Sequence, residues 1–130
     1  MTKKELYQLY HLNLEIRDET ERLKQLEAAA HDTSVKISGL PHITGIANKT
    51  ALSADIADCR NLIEAKTKAS VAEYNRLIRY IASVDDAFIR RILKLRFVDG
   101  NPWWKVAYII GGNNTADGVR KAIDRFLSRS

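Results

Sequence analysis

Residues 3–30 run without a glycine or a proline, and Glu, Leu, Lys, Arg, Gln and Ala dominate them. A stretch of that composition has no ready alternative to the α-helix. Leu9, Leu12, Ile16, Leu23 and Leu26 follow steps of three and four residues once Glu19 takes the intervening seam position, a heptad-like stripe. A second run free of both breakers extends from Ala51 to Ala82. Leu52, Ile56, Cys59, Ile63, Tyr74, Leu77 and Ile81 lie along it, with Thr67 and Ser70 weakening its middle. Thr50 or Ser53 is placed to cap its start. Two apolar stripes left in water forfeit the main stabilising term, so the expected arrangement is a long antiparallel hairpin of helices at about 3–30 and 51–82, occupying residues 1–82.

The residues between the two runs break the pattern. His31, Asp32, Thr33 and Ser34 are followed by Gly39, Pro41, Gly45 and Asn48, which predicts a connection over 31–50. Val35, Ile37, Leu40 and Ile43 offer it a means of docking on the helices, and a disordered connection is the alternative.

Chemistry is sparse. One cysteine, Cys59, excludes an intrachain disulfide framework and a four-cysteine zinc module. Cys59 lies on or beside the second stripe and reads as a buried structural thiol. His11, His31 and His42 have no metal-motif spacing. No catalytic residue, metal site or cofactor is therefore expected, and an enzyme is the least favoured class. No long apolar segment suggests a membrane span or signal peptide, and the expected location is the cytoplasm.

The charge is uneven. Of the formal net charge of +5, residues 85–130 hold +4, from nine basic and five acidic side chains. A phosphate-binding surface, if one exists, belongs there.

That last segment, residues 83–130, carries clear punctuation. Ser83 is placed to cap a helix running to about Val98, with Asp86 as the acidic member of a capping box. Phe88, Ile92 and Leu95 form one apolar row, and Ile89, Leu93 and Phe97 an adjoining one. Gly100 suits a terminating left-handed residue, Asn101 a cap, and Pro102 a first turn, which predicts a helix over 102–110. Trp103, Val106, Ala107 and Ile110 occupy its core face, with Trp104 and Tyr108 at the edge. Gly111 and Gly112 end that helix, Asn114 is the expected N-cap, and Asp117 sits in the first turn of a final helix at about 115–128. Val119, Ile123 and either Phe126 or Leu127 form its buried side. The expected core of this segment is thus Phe88, Ile92, Leu95, Trp103, Val106, Ala107, Ile110, Val119, Ile123 and Leu127.

Helix, turn and helix in a basic segment is the geometry that fits one helix into the DNA major groove while its predecessor crosses the phosphate backbone. On that reading Thr115, Ala116 and Gly118 approach base edges, and Asn113, Asn114, Arg120 and Lys121 bond to bases or phosphates. Arg125 contacts phosphate. Asp117 repels phosphate unless it serves the helix terminus or accepts a hydrogen bond from cytosine. Gly118 costs helix stability of about 1 kcal/mol relative to alanine and permits close approach.

From about Asp85 to Leu127 the sequence resembles the helix-turn-helix of small phage and prophage proteins related to region four of sigma-70 factors, including the ArpU-like and RinA-like late transcription regulators. The residues that carry the resemblance are Asp85-Asp86, Arg91 to Phe97, the turn through Gly100, Trp103 with Val106-Ala107 and Ile110-Gly111, Val119-Arg120, and Arg125-Phe126-Leu127. The resemblance implies an all-α protein, a long hairpin followed by a compact three-helix domain. It implies binding to double-stranded DNA in transcription control, beside host RNA polymerase, and no enzymatic role. The hairpin is then a surface for a homodimer or for the polymerase. The competing expectation is a helical adaptor whose basic C-terminal region binds an acidic protein.

Overall fold

A computed structural model describes the backbone of residues 1–36 and 42–129 and the side chains of residues 1–31 and 50–129. Among the described residues the chain is all-helical, with no strand. Its helices are α1 (Lys3–Leu6), α2 (Gln8–Lys36), α3 (His42–Ala82), α4 (Ala87–Leu93), α5 (Trp103–Ile110) and α6 (Ala116–Arg129), and a π-helical turn, Lys94–Val98, continues α4. None of them is long and apolar enough to cross a membrane.

The chain divides into two compact units, Asn13–Lys68 and a second made of Met1–Leu12 with Ala69–Ser130. In the first, Ile16, Leu23 and Leu26 of α2 and Leu52, Ile56 and Ile63 of α3 are half-buried. Glu19 keeps its seam position because the Cys59 thiol donates to it, at 3.3 Å from the main-chain oxygen and 3.5 Å from Oε2. Cys59 is buried. Burial raises the pKa of its thiol, and the Glu19 hydrogen bond and charge add to the effect. Ion pairs of Lys66 with Glu15 and of Arg60 with Glu27 flank the seam.

The helices are longer than their sequence bounds. α2 continues to Lys36 and α3 begins at His42, so the connection expected over 31–50 is helical at both ends. Gly45 and Asn48 fall inside α3; one glycine costs a helix about 1 kcal/mol, less than the continuing hydrogen bonds return. Residues 37–41 and the expected docking of Val35, Ile37, Leu40 and Ile43 lie outside the described residues. At the other end, Tyr7 separates α1 from α2, and α1 starts on a reciprocal cap between Thr2 and Glu5. That backbone hydrogen bond from Thr2 is the main cause of the lowered Glu5 pKa. Tyr74, expected in the apolar stripe, is 46% exposed. Steps of three and four from Ile63 lead through Lys66, Ser70 and Glu73 to Leu77, which leaves Tyr74 about 100° around the helix.

The second unit holds the core. Leu6, Leu9, Leu77, Ile81, Val84, Ile89, Ile92, Leu93, Phe97, Val106, Ala107, Val119 and Ile123 form one buried cluster. Ser83 does not cap α4: its hydroxyl donates to the Tyr80 carbonyl and closes α3. Asp86 takes the cap, accepting from the Phe88 amide at 2.9 Å. This start places Phe88 in the exposed first turn, 38% accessible rather than in the core, and leaves the Ile89, Leu93 and Phe97 row fully buried. Leu95, Trp103, Ile110 and Leu127 are partly buried against the cluster, as is Phe126.

The π turn ends with the Asp99 amide donating to the Lys94 carbonyl. Asn101 caps nothing beyond it. Both its amide nitrogen atoms, main chain and side chain, donate to the Leu95 carbonyl, at 3.1 and 3.0 Å. Pro102 is consequently the N-cap of α5, outside rather than within its first turn, and supplies no side-chain cap. Arg96 turns inward from the π turn. Its guanidinium lies over the rings of Trp103, Tyr7 and Tyr10, at 4.8, 5.4 and 5.9 Å from their centroids. It donates to the Asn101 carbonyl and the Tyr7 hydroxyl, while Nε is buried without a partner.

Candidate nucleic-acid interface

Two glycines make the turn between α5 and α6. Gly111 and Gly112 have φ of 77° and 66°, a left-handed pair that side-chain-bearing residues rarely adopt. The expected break after Ile110 is therefore present, and α5 and α6 are separate helices. The Gly111 amide still donates to the Ala107 carbonyl, so α5 is closed before the chain reverses.

Asn114 closes the turn rather than capping α6: its side-chain amide donates to the Gly111 carbonyl at 2.9 Å. The cap falls to the next residue, Thr115, whose hydroxyl accepts from the Gly118 amide at 3.0 Å. A Cβ on Gly118 would lie 3.0 Å from that same hydroxyl oxygen, so the glycine leaves room for the cap to form. This gives Gly118 a local role independent of any ligand.

Of the residues expected at the interface, Asn113, Asn114, Thr115, Gly118, Arg120, Lys121 and Arg125 are exposed, and Ala116 is half-buried. Ala116, Trp103, Asp117 and Arg120 line a shallow recess between α5 and α6. Asn113, Asn114 and Thr115 occupy the turn, while Arg120, Lys121 and Arg125 follow along α6. Arg125 Nε reaches back to the Lys121 carbonyl at 3.4 Å, and Arg125 also borders a second recess with Phe88, Phe126 and Arg129.

The cations of α6 are not bare. Asp117 Oδ1 accepts from Arg120, and its Oδ2 lies 2.9 Å from Lys121 Nζ. These hydrogen bonds, Lys121 first, hold the Asp117 carboxyl below the usual aspartate pKa. Asp124, the other acid of α6, is paired at 2.8 Å with Lys3 of α1. The spacing of Asp117 to Arg120 and Lys121 is visible in the sequence as i,i+3 and i,i+4. The Lys3 pair has no local signal, because 121 residues separate its members.

Other basic residues of the segment divide in two. Arg90 is committed to the fold, donating to the carbonyls of Val84 and Asp85 at 2.6 and 2.8 Å, and Arg96 occupies its aromatic cage. Arg91, Lys94 and Lys105 are exposed. The outer face of α5 is less polar than its expected edge role suggests: Trp104 is 67% and Tyr108 82% exposed, with Ile109 beside them. His11 and His31 are exposed, and no group of His, Cys, Asp or Glu suited to a metal ion occurs among the described residues.

No family model, curated protein or solved structure matches the chain.

Proposed function

We propose that the chain is a noncatalytic regulator of transcription that binds double-stranded DNA through α5 and α6, acting as a helix-turn-helix with α6 in the major groove. Its architecture on this reading is a long antiparallel hairpin followed by a three-helix domain related to sigma-70 region four, as in the ArpU-like and RinA-like regulators of phages and prophages. The hairpin offers a surface to a second copy of the chain or to host RNA polymerase. A symmetric dimer would present two α6 helices to half-sites about 34 Å apart, or a multiple of that repeat.

The observation that carries the reading is the exposure of Arg120, Lys121 and Arg125 on α6, directly after a tight two-glycine turn whose own polar side chains face solvent. A groove-sized helix with cations accessible to phosphate is what backbone-dominated DNA binding requires. A mobility-shift titration against double-stranded DNA, run at several salt concentrations, tests it. Binding weakens as salt rises, and joint substitution of Arg120, Lys121 and Arg125 by alanine abolishes the shift while circular dichroism stays unchanged. Unchanged affinity in that folded variant removes α6 from the interface.

A second reading draws on the exposed Trp104 and Tyr108, since aromatic side chains of this kind anchor protein interfaces. It makes the chain a helical adaptor for an acidic protein. A partner retained after nuclease treatment, and not displaced by added duplex DNA, favours it.

A further inference from the structure

The two carboxylates of α6 are neutralised from different sources. Asp124 takes its cation from Lys3, outside α6, and so leaves the helix's own cations untouched. Asp117 takes Arg120 and Lys121, the two cations nearest the turn, one on each carboxylate oxygen. Both cations and Asp117 remain about half exposed, with side-chain accessibilities of 50%, 62% and 56%. Ion pairs so exposed add little to fold stability. Their consequence falls on an incoming phosphate, which must break charge-assisted hydrogen bonds already made before it can form its own.

We propose that Asp117 is a specificity-determining residue of the DNA interface: an internal counter-ion that withholds Arg120 and Lys121 from arbitrary phosphates and releases them where a cytosine amino group takes over its carboxylate. The proposal rests on the DNA-binding reading above. An ionised carboxylate only accepts hydrogen bonds. Guanine and thymine present acceptors in the major groove and repel it. Adenine sets its N7 acceptor beside its N6 donor, a pair that suits an amide and opposes a carboxylate. Cytosine offers the N4 amino donor without that neighbour. The favoured targets are therefore duplexes with a cytosine edge opposite the first turn of α6, and duplexes lacking cytosine leave the exchange uncompensated.

The test is fluorescence anisotropy of the full chain with two labelled duplexes of equal length, one alternating A and T, the other alternating G and C, over a potassium chloride series. Wild type prefers the G·C duplex. Asp117→Ala, which removes the carboxylate without adding an adenine-reading amide, tightens binding to the A·T duplex about five- to tenfold and steepens its log–log salt slope by about one to two, as one or two freed cations reach phosphate. Its affinity for the G·C duplex changes little, so the preference collapses. Unchanged or weaker A·T binding by Asp117→Ala, with the Arg120, Lys121 and Arg125 triple variant still inactive, overturns the counter-ion role and leaves the DNA reading standing. Equal tightening on both duplexes overturns the cytosine exchange. Failure of wild type to bind either duplex at low salt overturns the reading and the proposal together.

Discussion

The two units of the chain solve the problem of burial differently. Asn13–Lys68 draws on two long helices and, among its described residues, fully buries a single side chain, Cys59. The unit of Met1–Leu12 and Ala69–Ser130 buries the thirteen residues of the main cluster with shorter helices in its C-terminal part. The difference follows from geometry. A pair of helices shares one stripe and leaves most of each circumference wet, whereas helices packed from several directions enclose a volume. Helix length therefore says little about where stability is concentrated.

The largest test of this contrast compares Phe97→Ala with Leu23→Ala by urea unfolding. Phe97 is 1% exposed and touches Tyr7 and Trp103 edge-on, so its truncation costs about 3–5 kcal/mol. Leu23, half-buried in the seam, loses about 1–2 kcal/mol. Equal losses would break the comparison. Next in size is Arg96→Lys. A lysine keeps the charge but cannot stack a planar fork between rings while bonding to Asn101 and Tyr7, and the expected loss is about 1–3 kcal/mol by the same measurement. Arg60→Lys at the exposed pair with Glu27 should change stability by less than about 0.5 kcal/mol.

An effect between the last two in size sharpens the role of the turn. Thr115→Ala removes the α6 cap and costs about 1 kcal/mol. Gly118→Ala gains less in the wild-type background than in the Thr115→Ala background, where its Cβ no longer crowds the hydroxyl, and a double-mutant cycle by thermal unfolding reads the difference. The smallest expected effect concerns Cys59. Its raised pKa means that the folded chain holds the thiol proton more tightly than the unfolded chain. Stability thus falls as pH rises from the ordinary thiol range toward the raised value. Urea midpoints at neutral and alkaline pH should differ more for wild type than for Cys59→Ala.

The parts of this structure written in local patterns are legible in the sequence. The heptad-like stripe with Glu19 in its seam, the glycine break after Ile110 and the buried row of Val119 and Ile123 all follow from spacing. Caps are harder to read, because a side chain placed to cap can be taken by a nearby carbonyl instead. Ser83 donates to Tyr80 and Asn114 to Gly111, which leaves the caps to Asp86 and Thr115. Phe88 left the core for that reason: moving the start of α4 to Ala87 puts it in the first turn. The partnerships of Lys3 with Asp124 and of Tyr7 with Arg96 have no local signature at all. At the candidate interface the cations are legible, and so is the spacing that ties two of them to Asp117. The nearly bare aromatic face of α5 is not, because Trp104 and Tyr108 read as packing at the helix edge.

The wide turn at Lys94–Val98 amounts to one residue more than an α-helix would spend on the same path. Deleting a single codon there, for Lys94 or Leu95, would return the turn to α pitch and leave the chain after it on nearly the same path. A second deletion has no slack to absorb it and would swing Phe97 from its slot and Arg96 from its rings by about 100°. This five-residue stretch behaves like slack in the gene, tolerant of substitution at Lys94 and of the loss of one residue but not of two.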